Sequence, residues 1–152
     1  MEFTDAIKQH MNPSIVYTNG DEPLTDVIFK MSDEGTDLAV VRTNETIIGV
    51  ITETDIFYAL VTKVFTQKSK TPENVSVQDV MREPSAKQVM ESCETYGSHP
   101  CVDTFEDDTI ENAIRIMQRS GLHHLLVFDK NNKLVGTLSS HDIIISFCKN
   151  KK

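Results

Sequence analysis

Cysteine is scarce, basic residues are outnumbered and no long apolar run occurs in this chain, and each shortage excludes something. Cys93, Cys101 and Cys148 are too few, and odd in number, for the disulfide framework of a small secreted domain. They fit reduced thiols and a cytoplasmic location. Fifteen Lys and Arg against 23 Asp and Glu leave a formal charge of −8, the wrong sign for nucleic acid or an anionic membrane as main partner. No stretch approaches the roughly 18 apolar residues of a membrane span, and Met1-Glu2-Phe3-Thr4-Asp5 lacks the basic, apolar start of a signal peptide.

What is present is a repeat. Gly49-Val50-Ile51-Thr52-Glu53-Thr54-Asp55-Ile56 is echoed by Gly136-Thr137-Leu138-Ser139-Ser140-His141-Asp142-Ile143. Upstream, Leu24, Met31 and Gly35 match Ile110, Met117 and Gly121 at an offset of 86, and one residue is gained before Gly136. Two copies of one supersecondary unit are expected to stack and share a core, because a half of roughly 70 residues buries too little surface alone. The clefts between such halves suit small ligands.

Each copy reads as helix, short strand, helix, strand, strand, helix. In the first, Thr4 to Met11 predicts a short helix and Ile15 to Tyr17 an extended piece. Leu24, Val27, Ile28 and Met31 make a helical stripe ended by Gly35. Leu38 to Val41 and Ile47 to Ile51 predict a hairpin, with a helix from Thr52 onward. In the second, Val77 to Met81, Val102, the Ile110–Met117 stripe, Leu125 to Phe128, Leu134 to Leu138 and the helix from Ser139 follow in the same order. The expected division is a first repeat over residues 1–68, a polar linker over 69–75 and a second repeat over 76–152, the last carrying an insertion at about 85–100 with Cys93, Tyr96, Gly97 and His99. A loop of that length is usually functional or disordered.

With the copies aligned, the chain resembles a tandem pair of CBS (cystathionine β-synthase) domains, a Bateman module. The resemblance rests on Met11-Asn12-Pro13 and Met81-Arg82-Glu83-Pro84 at the repeat starts, the helices ending in Gly35 and Gly121, the hairpin with Asp129-Lys130-Asn131-Asn132 at its turn, and the two Gly-x-x-Thr/Ser-x-x-Asp endings. It implies an α+β fold of two repeats related by a pseudo-twofold axis. It also implies a sensor rather than an enzyme, an adenosine-containing effector (AMP, ADP or ATP, or alternatively S-adenosylmethionine), no other cofactor, and a homodimer that reports to a downstream protein.

Thr52 to Asp55 and Ser139 to Asp142 each have the form of a helix capping box. By the resemblance, Asp55 would accept from both ribose hydroxyls, as a carboxylate's two oxygens allow, and Thr52 and Thr54 would sit near phosphate. Adenine would lie along Pro100-Cys101-Val102 with Val50 approaching, and His123, His124 and His141 would meet the phosphate. The mirror site would use Ser14, Ile15, Val16, Ser139 and Asp142, but Asp37 stands there where His123 stands in the other copy, so it suits a neutral or cationic ligand. Other readings stay open: a ligand-free dimerising scaffold whose boxes are only caps, a metal at the three histidines, and an enzyme using Cys93 or Cys101 with His99. The apolar faces of the two final helices, around Phe57, Val61, Phe65, Ile144, Ile145 and Phe147, predict core closure with surplus for an interface.

Overall fold

The computed structural model describes residues 1–68, 71–80 and 103–149. It divides into two compact units, Ser14–Glu83 and a second made of Met1–Pro13 with Pro84–Lys152. The first unit contains β1 (Val16–Thr18), α1 (Leu24–Glu34), β2 (Leu38–Thr43), β3 (Thr46–Thr52) and α2 (Glu53–Ala59). The second contains β4 (Asp103–Phe105), α3 (Ile110–Ser120), β5 (His124–Phe128), β6 (Leu134–Ser139) and α4 (Ser140–Lys149). Each is a three-stranded sheet with a parallel first pair and an antiparallel second pair, in the order β1-β2-β3 or β4-β5-β6. The α+β class expected from sequence is observed, and so is the repeated order strand, helix, strand, strand, helix; the leading helices expected at Thr4 to Met11 and Val77 to Met81 are 3-10 turns, Ile7–Gln9 and Val77–Asp79.

The helical stripes form for the reasons the sequence shows. Leu24, Val27 and Met31 of α1, and Ile110, Ala113 and Met117 of α3, are buried at three- and four-residue spacing. Gly35 and Gly121 end their helices at φ 63° and 68°, a left-handed conformation that costs a side-chain-bearing residue about 1–2 kcal/mol. Thr109 caps α3 by accepting from the Asn112 N–H at 3.2 Å. Behind these helices, Ala39, Val41 and Ile51 complete the first core, and Leu125, Val127 and Leu138 the second.

The compact units are not contiguous in sequence. Ile7, fully buried, lies in the core of the second unit. The Ile7 N–H donates to the Asp108 carbonyl at 2.8 Å, and Asn12 and Thr137 exchange backbone bonds at 2.8 and 2.9 Å. Reciprocally, Val75 and Val77 lie in the core of the first unit; Leu24 N–H reaches the Val75 carbonyl, and Val77 N–H the Glu22 carbonyl, each at 2.9 Å. Each copy's leading segment thus packs on the other copy's strands and stripe helix. This is also why Thr4 to Met11 does not form the helix expected of it. The amides of Ile7 and Lys8 bond to a distant segment, leaving only a 3-10 turn over Ile7–Gln9.

The β2–β3 hairpin turns on Asn44 and Glu45, both at positive φ (47° and 70°), as a two-residue turn between right-twisting strands demands. Glu45 has no local reason to accept that conformation, its ion pair with Arg42 being an exposed 3.6 Å contact worth little. Glu45→Gly is therefore expected to stabilise the first unit by about 1 kcal/mol, read from urea unfolding of the full chain. Beyond α2, Leu60–Thr66 continues as a wider π-helical turn, Gln67 N–H bonding back to the Thr62 carbonyl at 3.0 Å. The β-branched Val61, Thr62, Val64 and Thr66 crowd a regular α-helix there.

Candidate functional site

In the first unit, β3 runs directly into α2 and places Val50, Thr52, Thr54 and Asp55 around one strand-to-helix corner. The corner is held by a reciprocal box. Asp55 Oδ2 accepts from the Thr52 N–H at 3.0 Å and from its hydroxyl at 2.8 Å, while Thr52 Oγ1 accepts from the Asp55 N–H at 3.3 Å. These bonds fix the Asp55 carboxylate through one oxygen. Val50 and Thr52 are buried, Thr54 is exposed and Asp55 is half-buried. Glu53 N–H also donates to the Asp37 carbonyl at 2.9 Å, so the start of β2 is tied to the same corner and brings an acid to it.

The second unit repeats the arrangement with different chemistry. Asp142 Oδ2 accepts from the Ser139 N–H and hydroxyl, both at 2.8 Å, and Ser139 Oγ accepts from the Asp142 N–H at 3.1 Å. Ser140 N–H donates to the His123 carbonyl at 2.9 Å, and His124 is the strand partner of Ser139. His123, His124 and His141 therefore gather at one corner, His123 and His141 exposed and His124 half-buried. Of the residues expected at the mirror site, Ser14 and Ile15 are half-buried, and Val16 has its side chain in the first core. Pro100, Cys101 and Val102, and with them Cys93 and His99, lie outside the described residues. No cluster of three His, Cys, Asp or Glu side chains among the described residues is arranged to hold a metal ion, and no helix among them is long and apolar enough to cross a membrane.

One residue was not singled out by the sequence reading. Asp103, on β4, is only 5% exposed, and its Oδ1 has no hydrogen-bond partner among the described residues. Burial pushes its carboxyl up to about 7, against a smaller opposing effect of its own backbone N–H. The available signal was the repeat offset itself. Asp103 occupies the position of Tyr17, whose ring carries the Arg42 guanidinium 3.8 Å above its centre, so an acid is not what the fold requires there.

Comparison with known proteins agrees with this architecture. The CBS domain family model matches residues 7–62 and 94–148, and the chain belongs to the CBS domain family. An uncharacterized protein of Methanopyrus kandleri is 29% identical over 124 residues, which are 81% of this chain and 53% of that protein; the chain spans about half the length of the curated relative it matches. Among solved structures, the CBS domain pair of protein MJ0100, in complex with 5′-methylthioadenosine and S-adenosyl-L-methionine, superposes with a TM-score of 0.68 at 17% identity, covering 97% of this chain and 98% of that one. A hexameric CBS-CP12 protein from bloom-forming cyanobacteria gives 0.71 at 18% identity, covering 99% and 74%. At these identities the structural likeness speaks to the fold.

Proposed function

We propose that this chain is a regulatory module that binds an adenosine-containing ligand, of the AMP, ADP or ATP class, and passes its occupancy to a partner protein. The observation that carries the reading is the pair of strand-to-helix corners. Each holds an aspartate in fixed orientation through one oxygen, and one of them gathers three histidines in a chain of net charge −8. Asp55 takes the ribose hydroxyls, with Val50, Thr52 and Thr54 beside it. His123, His124 and His141 take phosphate, and Pro100, Cys101 and Val102 take the base. Ser14, Ile15, Val16, Ser139 and Asp142 form a second, weaker site, for which S-adenosylmethionine is the better fit. The complex of the MJ0100 domain pair with two adenosyl compounds supports this ligand class. Regulation follows from differential affinity: a ligand shifts only those states it binds unequally.

The test is thermal unfolding of the full chain against AMP, ADP, ATP, adenosine and S-adenosylmethionine. A ligand at 100 times its dissociation constant adds about 2.7 kcal/mol, a shift on the order of 5 °C for a chain of this size. Asp55→Ala is expected to abolish the shift for AMP, ADP, ATP and adenosine, the ligands of the first site, and His123→Ala to reduce it far more for AMP than for adenosine. An unchanged response of Asp55→Ala to every ligand refutes the site.

A second reading, a ligand-free scaffold that pairs with a further copy of itself, is favoured by the exposed apolar side chains of the final helices: Phe57 at 61%, Phe65 at 75% and Ile144 at 58% exposed. It expects a dimer by light scattering and no nucleotide response.

A further inference from the structure

The two stripe helices bury equivalent residues but present opposite chemistry outward. At the repeat offset of 86, Phe29 and Asp33 of α1 stand where α3 has Arg115 and Arg119. All four are exposed, and in each helix the pair lies one turn apart, away from the buried stripe. Phe29 is 69% exposed, an aromatic ring at a position where the core asks for nothing apolar. Neither Asp33 nor Arg119 has an ion pair among the described residues, whereas Arg115 is held by Glu111 at 2.6 Å. Beside α3, Phe3 and Ile114 with Glu111, Arg115, Gln118 and Arg119 line an open groove of about 620 Å³. Its far wall is anchored: the Glu111 N–H donates to the Phe3 carbonyl at 2.9 Å, and the Phe3 ring meets Phe147 edge-on at 5.4 Å.

We infer that the α1 face of a second molecule of this chain docks on α3, with Phe29 entering the groove between Phe3 and Ile114 and Asp33 pairing with Arg119. An aromatic anchor in a pocket beside arginine is the usual centre of a protein interface, and Arg115 flanks the entering ring, where a cation–π contact is favourable. Charge decides which faces meet. Placing α1 on α1 opposes Asp33 to its own copy, and placing α3 on α3 does the same to Arg119; like charges facing each other across an interface are penalised. Only the unlike pairing matches acid with base and ring with groove. Each molecule carries both surfaces, so the contact is made reciprocally between two molecules or repeated along several. The inference does not depend on the adenosyl reading, and it uses helices other than the final ones invoked for the scaffold.

The experiment is sedimentation velocity of the full chain from micromolar to submillimolar concentration, with urea unfolding confirming that each variant is folded. Wild type is expected to associate. Asp33→Arg and Arg119→Glu, each placing like charges across the contact, should weaken association by about tenfold or more. An equimolar mixture of these two variants should recover it, because each molecule then supplies the charge that the other's reversed side chain needs. Misfolding of either variant would not be repaired by mixing. Phe29→Ala should weaken association by a similar factor and gain nothing from either charge variant. A wild type that stays monomeric throughout overturns the inference. So does a wild type that associates while both charge variants match it, since the contact then lies on another face such as the final helices. Failure of the mixture to recover overturns it too. None of these outcomes touches the residues of the proposed nucleotide site, whose own test is the thermal shift above.

Discussion

Gly136→Ala is expected to destabilise the second unit by about 3 kcal/mol and to release its leading segment. A Cβ at residue 136 would lie 2.6 Å from the Asn12 carbonyl oxygen and 3.0 Å from Met11 Sδ. The sulfur can swing away; the carbonyl cannot, because it accepts the Thr137 N–H at 2.9 Å in a reciprocal backbone pair. Relief requires that pair to open, and with it the path that seats Ile7 among Ile110, Leu125 and Leu138. Overpacking against backbone belongs to the costlier end of core substitutions. Gly121→Ala is the informative comparison: its Cβ would meet nothing within 4 Å, so only the left-handed φ is penalised, about 1 kcal/mol. Hydrogen exchange of the Thr137 and Ile7 amides should rise sharply in the first variant and little in the second. Equal losses, with both amides still protected, would show that the close approach does not matter.

Asp103→Asn is expected to stabilise the protein by an amount that depends on pH, reaching on the order of 4 kcal/mol at pH 8 and vanishing near pH 3. The ordinary value of the group is 3.8 and its folded value about 7. Below 3.8 the carboxyl is protonated in both states and contributes nothing. Between 3.8 and 7 the unfolded chain releases the proton while the folded chain keeps it, so wild-type stability falls by up to about 1.4 kcal/mol for each pH unit. Above 7 both states are ionised and the penalty is constant. Asparagine fills the same space without ionising, so the variant lacks this slope. Urea unfolding at several pH values measures the difference directly; parallel curves for the two proteins would mean that Asp103 is not desolvated as the structure shows it.

The repeat was legible because it is carried by residues with strong local meaning. Gly35 and Gly121 punctuate equivalent helices, the stripes Leu24–Met31 and Ile110–Met117 repeat helical spacing, and the Thr52 and Ser139 boxes mark equivalent helix starts. The exchange of leading segments was not legible. It is made by a three-residue turn, single backbone pairs such as Asn12 with Thr137, and lone apolar anchors such as Ile7 and Val75, none long enough to carry a period. Val75 even lies in a stretch whose polar composition reads as linker. The gathering of His123 with Ser140 depends on a non-local hydrogen bond, which spacing alone does not encode. Asp103 escaped notice because β4 is three residues long, too short for alternation to announce which side it faces.

The exchange of segments also sets an order of events during synthesis. Residues 71–80 emerge soon after the strands and helix they complete, so Ser14–Glu83 can close while the rest of the chain is still being made. Ile7 and Asn12 leave the ribosome earlier still, yet their partners Leu125, Thr137 and Leu138 follow more than a hundred residues behind. At about 5–20 residues per second, this leaves a buried-type segment waiting for roughly ten seconds. For that interval the segment that later seals one unit is a loose thread trailing from the other.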